Sequence, residues 1–197
     1  RTSVGDERSG KHRKATGSNP SPVTDGKYVF VYFKSGDFAC LDFDGKLIWH
    51  VNLQERYGED TLWWDLGTSP ILTQEHVVIA CMHSGPSYLA AFDKQTGKTI
   101  WKQERNMDAP EEANQSYSTP VVTMHEGQEV IVVLGADHVT AHSAKTGKQL
   151  WLVGGLNPTQ NGYFRSISSP VISGDVVVAP YARGSSLTAV RLGGEGD

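Results

Sequence analysis

The residues of this 197-residue chain best suited to hold a metal or attack a substrate are seven histidines and two cysteines. Their spacing gives them little to do. His138 and His142 stand four apart, a chelating distance on a helix, but the surrounding "DHVTAH" reads as a strand. At about 3.3 Å per residue they would be roughly 13 Å apart, too far to share a metal. Cys40 and Cys81 sit inside the apolar runs "FACLDF" and "VVIACMH", where cysteine behaves as a small buried hydrophobe, and neither has a second ligand at chelating spacing. The stretch Asp42-Phe43-Asp44-Gly45 opens like a calcium loop, yet the later oxygen ligands and the closing glutamate are missing. Thr96-Gly97-Lys98 and Thr146-Gly147-Lys148 look like the end of a phosphate loop but lack its upstream glycines and following helix. No nucleophile elbow or zinc-protease helix appears. The glycosylation triplet Asn114-Gln115-Ser116 is at chance level for one sequence.

A different chemistry, that of binding, gathers in three long connections: residues 54–67, 104–117 and 153–167. Long connections inside a compact domain usually carry function. Two of them hold Arg56, Trp63, Trp64, Asp65, Tyr163, Phe164 and Arg165. Tryptophan, tyrosine and arginine dominate binding hot spots because they bring large contact area with a polar tip. The middle connection adds Asp108, Glu111 and Glu112, which makes the same rim locally acidic. These seven residues form a candidate rim for a protein or small-molecule ligand. The competing reading is that the rings only pack the loops down.

The elements that would position this rim repeat. Ser21-Pro22-Val23, Ser69-Pro70-Ile71, Thr119-Pro120-Val121 and Ser169-Pro170-Val171 recur at steps of 48, 50 and 50 residues. Trp49, Trp101 and Trp151 keep steps of 52 and 50. Two anchors on one period mean a repeat architecture. Each unit reads as four short strands rich in Val, Ile, Tyr and Phe. Asp-Gly, Glu-Gly or Gly-Asp turns join the first pair, and Asp44-Gly45, Thr96-Gly97 and Thr146-Gly147 join the last pair. A repeated four-stranded antiparallel meander is a propeller blade, so an all-β propeller segment of about four blades is predicted. Its blades span about 18–67, 68–117, 118–167 and an incomplete 168–197, after a polar loop at 1–17. The three tryptophans then serve structure, each covering the gap to a neighbouring blade.

Charge and hydropathy exclude other classes. A formal net charge of −4 argues against a nucleic-acid binder, and no apolar run nears the roughly 20 residues that span a bilayer.

On these residues the chain resembles the PQQ-type β-propeller repeat family, with its pattern small-apolar-Asp-x-x-Thr-Gly-x-x-x-Trp. Residues Ala91 to Trp101 match throughout; the first unit shortens the turn, the third puts Ser143 at the aspartate, and the fourth keeps only "LTAVRL". The resemblance covers about 18–197. It implies a ring of typically seven or eight blades, so the remaining blades are expected in the same or a second chain. It also implies an extracytoplasmic, periplasmic setting. Family members include an outer-membrane assembly lipoprotein and quinoprotein dehydrogenases. The dehydrogenases use a vicinal cysteine pair, a calcium held by Glu, Asn and Asp, and a tryptophan floor. None of these matches here, so neither PQQ nor calcium is expected. The resemblance thus favours a non-catalytic binding or scaffold propeller, with part of a quinoprotein dehydrogenase, or the sensor domain of a larger receptor, as alternatives.

Overall fold

The computed structural model describes residues 1–10, 12–180 and 187–195. Four antiparallel sheets follow one another along the chain. The first is β1 (Val23–Thr24), β2 (Val29–Tyr32), β3 (Asp37–Leu41) and β4 (Leu47–Asn52), followed by a short helix α1 (Leu53–Tyr57). The second is β5 (Ile71–Leu72), β6 (His76–Cys81), β7 (Tyr88–Asp93) and β8 (Thr99–Glu104). The third is β9 (Val121–His125), β10 (Gln128–Gly135), β11 (His138–Ser143) and β12 (Gln149–Val153). The fourth has β13 (Val171–Ser173), β14 (Val176–Pro180) and β15 (Leu187–Arg191). In every sheet strand order equals chain order, and the first strands β1, β5, β9 and β13 lie side by side in an arc. These are propeller blades in a partial ring.

The burial pattern explains the sequence pattern. All six residues of β6 are buried, because a middle strand of a blade has a blade on each face. Val77, Ile79 and Cys81 pack toward the first sheet, against Phe30, Phe38 and Trp49. Val78 and Ala80 pack toward the third sheet, against Ile131 and Val133. A strand apolar on both faces shows no alternation, only a continuous run. The core is therefore three layers between blades rather than one mass, the last formed by Val132, Val139, Trp151 and Val177. Each fully buried aliphatic side chain contributes about 1.5–3 kcal/mol.

Two polar connectors stitch the layers. On the outside, the Trp49 indole N–H donates to the Lys94 carbonyl at 2.9 Å, and that of Trp101 to the Ala144 carbonyl at 3.2 Å. Each ring lies on the glycine of the next blade's turn: a Cβ on Gly97 would stand 2.7 Å from Trp49, and one on Gly147 2.4 Å from Trp101. Both glycines also have positive φ (66° and 74°), so no other residue suits them. Each tryptophan pairs across the sheet with a small residue (Cys40, Ala91 or Ala141), and each pair sits beside a register shift. Such bulges increase the local twist and aim the outer strand. Trp49 and Trp151 are buried, and Trp101 is partly buried.

On the inside, the residues before the four prolines form a ladder. The Ser21 N–H donates to Ser69 Oγ at 2.9 Å, that of Ser69 to Thr119 Oγ1 at 3.0 Å, and that of Thr119 to Ser169 Oγ at 3.0 Å. The small hydroxyl residue of the second, third and fourth repeats is thus an acceptor for the blade before it.

Residues 1–10 and 12–17 run along the free flank of the first blade. Thr2 donates to the Gly45 carbonyl, Arg8 pairs with Glu59, and the Lys34 N–H donates to the Gly17 carbonyl at 3.0 Å. Gly45 therefore faces Thr2, where Gly97 and Gly147 face a tryptophan. At the other end, no fourth strand pairs with β15 among the described residues, and Val171 and Leu187 are 64% and 68% exposed.

Both cysteines are free and buried. Burial pushes the Cys40 thiol up to about 12 and that of Cys81 higher still. Only a thiolate attacks a disulfide reagent. Ellman's reagent at mildly alkaline pH is therefore expected to label neither cysteine in the folded chain and both in denaturant. Rapid labelling without denaturant would contradict these positions.

Candidate functional site

Chain order dictates one face. The Gly-containing hairpin tips lie at one end of every blade, and the long connections cross at the other. There α1 starts on Asn52, whose side chain accepts from the Gln54 and Glu55 N–H groups, each at 3.0 Å. The helix stops at Gly58, and a single 3-10 turn, Glu111–Asn114, shapes the second connection.

The connections then bond to one another near the inner strands. The Tyr117 N–H donates to the Ser166 carbonyl at 2.8 Å, and the Ser166 N–H to the Gln115 carbonyl at 3.2 Å. The Trp63 N–H donates to Gln115 Oε1 at 3.2 Å, and the Trp64 N–H to the Tyr117 hydroxyl at 3.1 Å. That hydroxyl donates in turn to Gln115 Oε1 at 2.7 Å. The loop face is cross-braced by polar bonds rather than by a core.

At its centre Asp65, Gln115 and Arg165 occupy one repeat position, 50 residues apart. Asp65 is 2% exposed, takes φ 66°, pairs with Lys34 and accepts from the His12 N–H at 2.7 Å. Burial pulls Lys34 below the usual lysine value. Arg165 pairs with Glu112 and holds its guanidinium 5.2 Å from the centroid of the Trp64 ring, a cation–π distance. The His12 ring lies 4.4 Å from the same indole. Each long connection contains one non-glycine residue in the left-handed region: Asp65, Glu111 and Gln160. Such conformations collect where a surface must hold a set shape. Among the described residues, Trp64 Nε1, Thr68 Oγ1 and Ser118 Oγ are buried here without a hydrogen-bond partner.

Of the seven candidate rim residues, the structure brings Trp64, Asp65 and Arg165 together and leaves Trp63 and Tyr163 63% and 55% exposed beside them. Phe164 turns inward onto Ala109, Ala113 and Ala136. Arg56 stands apart on α1, donating to Thr99 Oγ1 at 3.0 Å. Sequence reasoning missed Lys34, His12, Gln115 and Tyr117. The period itself points to Gln115, since it falls midway between Asp65 and Arg165.

Behind this face runs a buried relay. Arg105, 1% exposed, donates through Nε to Thr140 Oγ1 at 2.8 Å and through its terminal nitrogens to the Gly135 and His138 carbonyls at 3.1 Å. Thr140 Oγ1 meets His142 Nε2 at 3.0 Å, and His142 Nδ1 meets the Gly147 carbonyl at 3.0 Å. The Gly147 carbonyl can only accept, so Nδ1 carries a proton, and in the neutral ring Nε2 accepts from the Thr140 hydroxyl. Burial lowers His142 from 6.5 to about 4, partly opposed by the Gly147 hydrogen bond. Its folded value lies below its unfolded one, so the stabilisation is complete above about pH 6.5 and is lost as pH falls toward 4. About 3 kcal/mol should disappear across that window. Urea midpoints of the native chain and of His142→Gln should therefore diverge in slope between pH 7 and 4.5; parallel slopes would contradict the relay.

Comparison with known proteins follows from these repeats. The family model described as "Outer membrane protein assembly factor BamB" matches residues 3–125 and 113–195. No curated protein matches the chain. BamB from Moraxella catarrhalis superposes with TM-score 0.65 at 17% identity, over 88% of this chain and 50% of that one. Quinohemoprotein alcohol dehydrogenase from Comamonas testosteroni gives TM-score 0.62 at 14% identity, over 88% of this chain and 35% of that one. The computationally designed Ika4 protein gives 0.59 at 13%, over 92% and 94%. The chain spans half or less of the two natural proteins, and at these identities the likeness is one of fold.

Proposed function

Because the chain belongs to the BamB-like family of PQQ-type propellers, we propose that it is a non-catalytic binding or scaffold propeller of a bacterial cell envelope. Its loop face holds a protein partner. The observation that carries this reading is the convergence of the long connections on one braced face, with Trp63 and Tyr163 63% and 55% exposed. Exposed aromatic residues on a rigid support are what interface anchors require. No described helix is long and apolar enough to cross a membrane.

The dehydrogenase alternative is less well supported by the residues present. Cys40 and Cys81 lie on neighbouring sheets inside one apolar cluster, not as a vicinal pair under a quinone. Among the described residues no group of three or more His, Cys, Asp or Glu is placed to hold a metal. The donor set does not fit a quinone with its calcium, and no step is assigned to either.

The test places a photo-crosslinking residue at position 63, at 163 and, as control, at Leu47 on the outer wall. In bacteria exporting the chain, discrete protein adducts are expected from the first two and not the third. Calorimetric titration with PQQ and calcium should be flat. A saturable micromolar signal, with no adduct from either loop position, would overturn the reading in favour of the enzyme.

A further inference from the structure

The third long connection contains Asn161-Gly162, and Asn161 is the only asparagine of the chain that glycine follows. Asparagine before glycine can react with its own backbone, the glycine nitrogen attacking the side-chain carbonyl. The rate depends on whether the fold holds those atoms together and supplies a base. This corner does both. Asn161 is fixed by the buried Asn157: its N–H donates to Asn157 Oδ1, and its carbonyl accepts from Asn157 Nδ2, each at 3.0 Å. Its side-chain Oδ1 accepts from the Tyr163 N–H at 2.9 Å. That donor draws electrons from the carbonyl under attack and stabilises the oxyanion that attack creates.

The base comes from the neighbouring connection. A Cβ on Gly162 would stand 2.8 Å from Glu111 Oε2 and 2.9 Å from Glu111 Cδ, so the carboxylate occupies the place where any other residue would carry its side chain. Among the described residues the Gly162 N–H donates to no other group. Strain gathers here as well: Glu111 and Gln160, the residue before Asn161, take φ of 44° and 51°. The other asparagines lack this arrangement. Asn19 and Asn157 precede proline, which has no N–H, and Asn106 precedes the bulky Met107. The N–H groups after Asn52 and Asn114 are held by the Gly36 and Glu112 carbonyls, at 2.8 and 2.9 Å.

We infer that Asn161-Gly162 is a self-modifying site, at which Glu111 accelerates conversion of the asparagine to aspartate and β-linked isoaspartate. The Gly162 nitrogen bonds to Asn161 Cγ as its proton passes to the Glu111 carboxylate, directly or through one water. The Cγ–Nδ2 bond then breaks, and ammonia leaves with the proton that Glu111 returns. Water opens the resulting succinimide at either carbonyl. The net change is amide and water to carboxylate and ammonium, with no electron transferred. Asn161 is exposed, so water reaches it and ammonia escapes. The β-linked product gains a backbone methylene just before Tyr163, and either product adds a negative charge near Glu111. The loop face thus carries a clock, whatever it binds.

The test incubates the full chain and a synthetic peptide of residues 156–166 side by side at neutral pH, in water enriched in heavy oxygen, and maps both by mass spectrometry. The peptide gives the rate that the local sequence has without the fold. Asn161 is expected to convert first among the chain's asparagines, and about tenfold faster in the folded chain than in the peptide. Glu111→Gln should bring the folded rate down to that of the peptide. Asp108→Ser, an exposed change on the same connection, should leave it as it is. If Glu111→Gln lowers the thermal midpoint, the comparison of native chain with peptide still decides. A folded rate at or below that of the peptide would mean a turn that only protects its amide. That result, or an unchanged rate in a stably folded Glu111→Gln, overturns the inference.

Discussion

Trp101→Ala is expected to cost about 3 kcal/mol, the lower end of the range for deleting a large aromatic ring, since this ring is partly buried. The loss has identifiable parts. The indole covers apolar surface between the second and third blades, and its N–H satisfies the Ala144 carbonyl at 3.2 Å. Gly147→Ala attacks the same contact from the other side, because its φ is 74° and the new Cβ would stand 2.4 Å from the ring. Removing the ring first should relieve that clash, leaving mainly the cost of an alanine at positive φ. The two changes should therefore be less than additive in a double-mutant cycle of urea denaturations. Strict additivity, or an unchanged midpoint for Trp101→Ala, would show that the ring does not seat on that turn.

Arg105→Ala should be comparably damaging, at about 3–5 kcal/mol. Among the described residues no carboxylate pairs with the buried Arg105; burial draws it down to about 9, still charged at neutral pH. Its charge is spread over the Gly135 and His138 carbonyls and the Thr140 hydroxyl, all in the next blade. Truncation leaves those acceptors buried and unpaired as well as opening a cavity. Arg105→Lys should recover only part of the loss, since one ammonium cannot copy the planar fork. A fully stable lysine variant, measured by the same denaturation, would refute this account.

Much of the fold was legible because one physical demand recurs every 50 residues. A strand covered on both faces must be apolar throughout, as "HVVIAC" is, and a ring seated on a turn needs Trp and Gly at fixed offsets. The hydroxyl ladder was half legible. Ser or Thr at 21, 69, 119 and 169 marked the position, but the donor on each hydroxyl became visible only when blades were set side by side. The loop face was least legible. Asp65, Gln115 and Arg165 share a position but no chemistry, so a search by residue type passes over the middle one. Lys34 and His12 reach the site from elsewhere in the chain. Arg105 carries no mark in the sequence, because nothing local announces that three acceptors of another blade await it.

The ladder of hydroxyls and the tryptophan seats involve nearest neighbours only, and all donors point the same way along the chain. Copy number is therefore not written into either device. Were one period excised, residues 68–117, the Ser21 N–H would meet Thr119 Oγ1 and the Trp49 indole would meet Gly147, each in the geometry already in use. The apolar layers would not match so well, since the first is built on Phe30, Phe38 and Phe92 and the second on aliphatic residues. Unequal exchange between repeats could thus lengthen or shorten such a gene in register at once. Side-chain volume would have to be retuned afterwards, by slower point substitution.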